Sequence, residues 1–434
     1  MRRCTKHSKY MRLYKLLLFT LSVLPLSLMA QETNQETYFT HISDKLIKTL
    51  QVKIEGQTIS TPIIELSGTK RIEISFDVVE EGYGQYAYNL VHCDADWTRS
   101  KLSQIEYMNG FQGSPITDFA NSMSTTVQYT NYALLFPNED VQPKVSGNYA
   151  LLIYDESDPD NILATACFSI SENMIDITAT ISGDTDIDTN QLHQQLSFEI
   201  DHKNFQIIQP QTDLKVWVYQ NNRRDNAVTN LQPSSVLNDK IAFTNNRNLI
   251  FTGGNEYRRF EFLSNRYNGM HVEGTSYHRP YYHVTLMTDQ RRNQQTYSYD
   301  EDQNGRFFIR CSNCTDPATE ADYYIVHFAL KHAEIPAGTV HLSGDIYYNV
   351  LDENSRMDYN TETGCYEKIL LLKQGNYNYQ YLFVREGETK GYTALIEGNF
   401  FQTENEYGIY VYYCPMGARY DRLIGVLTMN YTQK

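Results

Sequence analysis

From Ile72 onward the chain alternates between apolar and polar positions. Ile72, Ile74, Phe76 and Val78 are separated by Glu73, Ser75 and Asp77. Every second side chain can therefore face a core while its neighbours face water, which is the signature of a half-buried strand. The same period recurs at Tyr149, Leu151 and Ile153, at Leu196, Phe198 and Ile200, at Leu214, Val216 and Val218, at Tyr324, Val326, Phe328 and Leu330, and over 409–413. Turn signals punctuate these runs: Glu81-Gly82-Tyr83-Gly84, Ser146-Gly147-Asn148, Ser182-Gly183-Asp184, Gly253-Gly254-Asn255 and Gln374-Gly375-Asn376. No long segment carries an apolar stripe of helical period, so strands are the expected framework. The 35 tyrosines fit this picture, because an apolar ring with a polar tip suits a partly wetted sheet face.

Short strands at this spacing predict an all-β chain of three consecutive β-sandwich, immunoglobulin-like domains. A new strand series opens after Ile170, and an acidic, proline-containing linker at Asp316-Pro317 precedes another. The expected parts are an N-terminal sandwich over 31–170, a middle one over 171–316 and a C-terminal one over 317–434, each of ordinary domain size.

Residues 1–30 read as a cleavable export signal. Arg2, Arg3, Lys6, Lys9, Arg12 and Lys15 precede an apolar run from Leu16 to Leu28, and Ala30 offers a small residue for cleavage before Gln31. Pro25 breaks the run, which is in any case too short for a comfortable membrane span. Loss of those six positive charges takes the formal charge from −15 to −21. So acidic a product would be repelled by phosphate backbones and anionic lipid, which excludes nucleic acid as a partner and argues against direct membrane insertion. Six cysteines follow the signal, and 15 pairings of six are conceivable. Cys311 and Cys314, adjacent in sequence, are the pair expected to form a disulfide in an oxidising compartment. The others are expected as free thiols.

Candidate chemistry is sparse. Cys311, Cys314, His327 and His332 match a zinc-finger spacing. His327 lies in an alternating strand, however, and positions five apart on a strand point to opposite faces, so a metal site is not expected. Asp94 and Asp96 beside Trp97 resemble a glycosidase pair in composition only, since such acids must straddle a bond rather than share a turn. His271, His278 and His283 lack a carboxylate in any matching pattern. No nucleophile elbow, metalloprotease motif or phosphate loop occurs. No cofactor is implied, and the chain reads as a binding protein rather than an enzyme.

Several stretches then add up to a family resemblance. They are 88–111, which contains Trp97, Tyr107 and Phe111; 129–138, ending Phe136-Pro137-Asn138; and 248–261, with Gly253-Gly254-Asn255-Glu256-Tyr257-Arg258-Arg259. Stretches 370–381, 396–398, 404–407 and 419–425 complete the set. In this order they resemble the plug proteins of the bacterial type IX secretion system. The resemblance implies a periplasmic protein, associated with the inner face of the outer membrane, that docks under a large outer-membrane translocon barrel and closes its periplasmic mouth at rest. Trp97, Tyr107, Phe111 and Arg258 are the expected partner contacts, because aromatic and Arg side chains concentrate binding energy. Residues 338–349 with 370–381 also resemble starch-binding immunoglobulin-like modules. That gives carbohydrate binding as the second reading, with Tyr347 and Tyr348 as the nearest aromatics and Asn349 where such modules carry a stacking tryptophan.

Overall fold

The computed structural model describes residues 36–80 and 82–432. The expected export signal lies outside them. The alternating segments form strands: Ile72–Val78, Gly147–Asp155, His193–Asp201, Leu214–Gln220, Tyr323–Lys331 and Glu406–Tyr413. In Tyr323–Lys331 the alternating apolar set Tyr324, Val326, Phe328 and Leu330 is buried, and Tyr323 is buried beside it on the other face, against the first sandwich. Helices among the described residues are single turns, such as Gln104–Tyr107. The protein is all-β, built of sandwiches.

The first sandwich pairs two largely antiparallel sheets. One runs in the order His41–Ile42, Ile162–Ser171, Gly147–Asp155, Tyr86–Cys93, Ser114–Pro115; the other runs Ile47–Ile54, Ile72–Val78, Thr130–Phe136, Asp118–Asn121. Ile72, Phe76, Tyr88, Leu90, Tyr132, Leu151 and Phe168 fill the space between them. Their removal from water is the main stabilising term of such a layer pair.

Strand pairing then departs from the expected boundaries. Leu214–Gln220 pairs with Glu406–Tyr413, which in turn pairs with Arg422–Asn430. Together they face the sheet containing Asp176–Ser182 and His193–Asp201 across one core, with Phe198, Val216, Ile409 and Ile424 in contact. Arg258–Phe262 pairs with Gly375–Arg385, and Tyr281–Leu286 runs parallel to Tyr323–Lys331. Phe260, Phe262, Val284, Phe328, Tyr379 and Tyr381 share the third core. The expected cut at Asp316-Pro317 therefore falls inside a sandwich. The third sandwich is inserted into the middle one, which is completed by the last two strands of the chain. Local turn signals cannot reveal this, because the partner of Leu214–Gln220 is distant in sequence.

Buried polar ties join the sandwiches, and the chain from Thr37 onward forms one compact unit. Lys373 Nζ, in the third sandwich, lies 2.6 Å from Asp77 Oδ2 in the first. Asp322 accepts the backbone N–H groups of Thr126 and Val127 at 2.8 and 3.0 Å. Tyr412 donates to Asn148 Oδ1 at 2.9 Å, joining middle to first.

Candidate partner-docking site

The segment after strand Tyr86–Cys93 separates the candidate contacts by burial. Asp96 Oδ1 accepts from Thr98 N at 3.0 Å, closing an Asx turn that holds Trp97 at a left-handed φ of 65°. Trp97 is thereby turned inward, packed with Val91, Cys93, Ala150 and Cys167. The Arg224 guanidinium sits 4.2 Å above its ring. Tyr107 is also buried, and its hydroxyl donates to Leu90 O at 2.7 Å. Neither offers a face to a partner, which corrects the expectation that they do.

Phe111 is different: 83 % of it is exposed. The turn Gln104–Tyr107 is fixed by a capping box in which Glu106 Oε2 accepts from Ser103 N at 2.7 Å. Those Ser103 hydrogen bonds, with the Arg419 ion pair, hold the Glu106 carboxyl down at about 2. The turn exposes Ile105 to 76 %, and Met416, three residues before the anchoring Arg419, is 96 % exposed. Gly110 has a φ of +106°, and a Cβ there would lie 1.9 Å from Asp140 O. Only glycine fits, so the backbone that projects Phe111 is set by Gly110. Phe111, Ile105 and Met416 thus stand on loops tied together by Arg419, which also donates to Lys101 O at 2.6 Å. Phe111 has the exposure that an expected contact requires; Ile105 and Met416 share that exposure without a place in the sequence reading, and the Ser103-x-x-Glu106 capping box is the sequence signal for the turn that carries Ile105.

The Arg258 side chain is only 9 % exposed and belongs to an internal ionic cluster. Its Nη1 lies 2.7 Å from Asp289 Oδ1 and its Nε 3.0 Å from Glu397 Oε1, while Arg292 takes the other Glu397 oxygen at 2.7 Å. Tyr379 and Tyr381 donate to Asp289 at 2.7 and 2.8 Å. Burial pushes the Asp289 carboxyl up, but the Arg258 charge and these hydrogen bonds outweigh it and hold the group at about 2. The Gly-Gly-Asn-Glu-Tyr-Arg-Arg stretch is therefore an internal brace for the third sandwich, and the expected contact role of Arg258 is corrected.

Cys311 and Cys314 are joined as a disulfide with Cα atoms 5.7 Å apart. His327 Nε2 faces His283 Nδ1 at 2.8 Å, whereas His332 Nδ1 lies 2.6 Å from Ala333 O, so the two histidines diverge. His271 turns to Asp289 instead, at 3.2 Å. Among the described residues no group of three His, Cys, Asp or Glu side chains is placed to hold a metal. Tyr347 packs on the third core, while Tyr348 packs on the first and lines a recess between the sandwiches, so the two do not form an exposed stacking platform of the kind the starch-binding modules present.

The fold and these loops define an all-β protein of interlocked sandwiches with exposed apolar side chains at Ile105, Phe111 and Met416. A family model described as "Type 9 secretion system plug protein 1st domain" matches residues 47–172, the first sandwich. The chain is also similar to a hypothetical protein from Parabacteroides merdae ATCC 43184 whose crystal structure is solved, with 64% sequence identity and a TM-score of 0.91, over 92% of this chain and 100% of that one. No functionally curated protein matches. The chain belongs to the type 9 secretion system plug family.

Proposed function

We propose that this chain docks from the periplasm against the outer-membrane translocon barrel of the type IX secretion system and closes its mouth while no cargo passes. The observation that carries the reading is the match of the first plug domain to residues 47–172, the sandwich from which Phe111 projects. A plug needs no chemistry, and the exposed groups on this sandwich are suited to contact. No helix among the described residues is long and apolar enough to cross a membrane, in keeping with engagement of a barrel from one side. Phe111, flanked by Ile105, is the proposed anchor, because a few desolvated aromatic side chains dominate interface energy.

The test is co-purification of the native envelope complex with Phe111→Ala. Truncating a hot-spot aromatic costs ~2 kcal/mol or more, roughly thirtyfold in affinity. The variant should melt like the unaltered protein, since the ring is already in water, yet recover much less barrel. Normal recovery would remove Phe111 from the interface. Failure of the unaltered protein to recover any outer-membrane barrel would overturn the plug reading itself.

A further inference from the structure

Where the three sandwiches meet, the protein encloses a recess of about 420 Å³, within the range of small-molecule sites. The first sandwich lends it Trp97, the middle one Tyr219, Arg224 and Tyr410, and the third Phe307 and Tyr348.

Arg224 is half-buried, donates to Tyr38 O and faces the Cys167 thiol. Among the described residues no carboxylate lies within ion-pairing distance of it. The neighbouring guanidinium groups are matched: Arg223 pairs with Asp225 at 2.6 Å and Arg306 with Glu406 at 2.5 Å. The recess wall carries two carboxyl groups, Asp225, paired with Arg223, and Asp345, which burial raises to about 6, and neither forms an ion pair with Arg224. A planar cation on an aromatic ring with no ion-pair partner suits an added anion. Beside it the buried Tyr219 hydroxyl meets the Trp97 indole but makes no hydrogen bond of good geometry, and the Asn349 Oδ1 on the opposite wall has no partner. Buried polar atoms are rarely left so, and each one invites an explanation. Tyr219 and Arg224 both line the recess, and burial raises the Tyr219 hydroxyl while the Arg224 charge opposes that rise. The recess wall also carries strain. Trp97, Tyr348 and Asn349 all hold left-handed φ values, 65°, 54° and 56°. Bulky residues adopt that conformation at a cost, and such outliers cluster at ligand clamps.

We propose that this recess binds a small organic carboxylate with an aromatic or aliphatic body, its carboxylate held by Arg224 and the Tyr219 hydroxyl and its body against the Trp97, Phe307 and Tyr348 rings. A neutral sugar would satisfy the rings but leave the guanidinium without an anion. Asp225 and Glu406 cannot supply that anion, because each is already held by its own arginine.

The chain has two tryptophans, so Trp217→Phe leaves Trp97 as a local reporter. Titration of the mature chain with N-acetyl-L-phenylalanine and with hexanoate should give a saturable change in Trp97 emission for at least one of them. The corresponding carboxamide should bind at least about tenfold more weakly, the worth of a charge-assisted hydrogen bond. Arg224→Gln should abolish the preference for acid over amide. Tyr219→Phe, which keeps the ring and its packing, should weaken the acid several-fold, and this variant decides the matter if Arg224→Gln melts early. Absence of saturation with both acids up to about 10 mM, or a carboxamide bound as tightly as its acid, would overturn the proposal.

Discussion

Replacing Lys373 with methionine strands a buried charge between two sandwiches. The Lys373 and Asp77 side chains are 2% and 1% exposed, and their charged atoms lie 2.6 Å apart. Asp77 also accepts from Tyr323 at 2.6 Å and Asn131 at 2.7 Å, and the Lys373 ammonium lies 4.1 Å from the centre of the Tyr129 ring. Burial pushes the Asp77 carboxyl up and the Lys373 ammonium down, in each case as the largest influence, with their mutual attraction opposing it. Desolvation thus cancels much of the Coulombic gain, and the pair as a unit stabilises little. Breaking it is another matter. Lys373→Met leaves the carboxylate with hydrogen bonds but no counter-charge, at a cost of ~3–5 kcal/mol. Adding Asp77→Asn removes that charge while keeping an acceptor for Tyr323, so the double variant should be more stable than Lys373→Met alone. Urea unfolding at neutral pH would measure both, and the deficit of Lys373→Met should shrink on acidification as Asp77 takes up a proton. A loss below about 1 kcal/mol in the single variant, or strictly additive losses in the double, would refute the reasoning.

Gly110→Ala should distort the docking loop, because its Cβ would collide with Asp140 O; barrel recovery should fall at least as far as for Phe111→Ala, with chymotryptic nicking near Phe111 as a second readout. Trp97→Ala should lower stability by ~3–5 kcal/mol in urea unfolding, the usual cost of emptying a buried aromatic site, and a change below ~1 kcal/mol would contradict its inward packing. Burial raises the Asp302 carboxyl to about 7 and the Asp94 carboxyl to about 6. Both folded values lie above the unfolded one, so this contribution is complete below about pH 4 and is lost as pH rises through 6 to 7. Asp302→Asn should therefore fare better against the parent at pH 8 than at pH 5, read from melting temperatures at both. N-terminal sequencing of the envelope protein should begin at Gln31, and a retained 16–28 segment would count against cleavage at Ala30.

The strands were legible because period-two alternation is a local signal, and Ile72–Val78 and Tyr323–Lys331 carry it without interruption. The pairing of Leu214–Gln220 with Glu406–Tyr413 was not, since nothing within either segment names its partner. The same limit governs the candidate contacts. Phe111 follows a glycine in a polar turn, and its neighbours state its exposure. Trp97 and Arg258 sit in equally polar surroundings, but Arg224, Asp289 and Glu397 arrive from far along the chain to enclose them. Arg224 itself, within Asn221-Asn222-Arg223-Arg224-Asp225, looks like any charged turn until the recess appears around it.

Insertion of the third sandwich into the middle one has a consequence for the order of assembly. A chain made from its N-terminus completes the first sandwich by Ser171, and the third by Glu397. The middle sandwich must wait, its sheet edge at Leu214–Gln220 open, until Glu406–Tyr413 and Arg422–Asn430 have been delivered. Such long-range pairing is slow to form and leaves an unpaired edge exposed meanwhile. A chain ending prematurely before residue 406 would carry two finished sandwiches and one that cannot close, with Val216 and Phe198 left in water. The last two strands thus cover an edge that would otherwise stay open, and a chain cut before residue 406 should aggregate more readily than one that carries them.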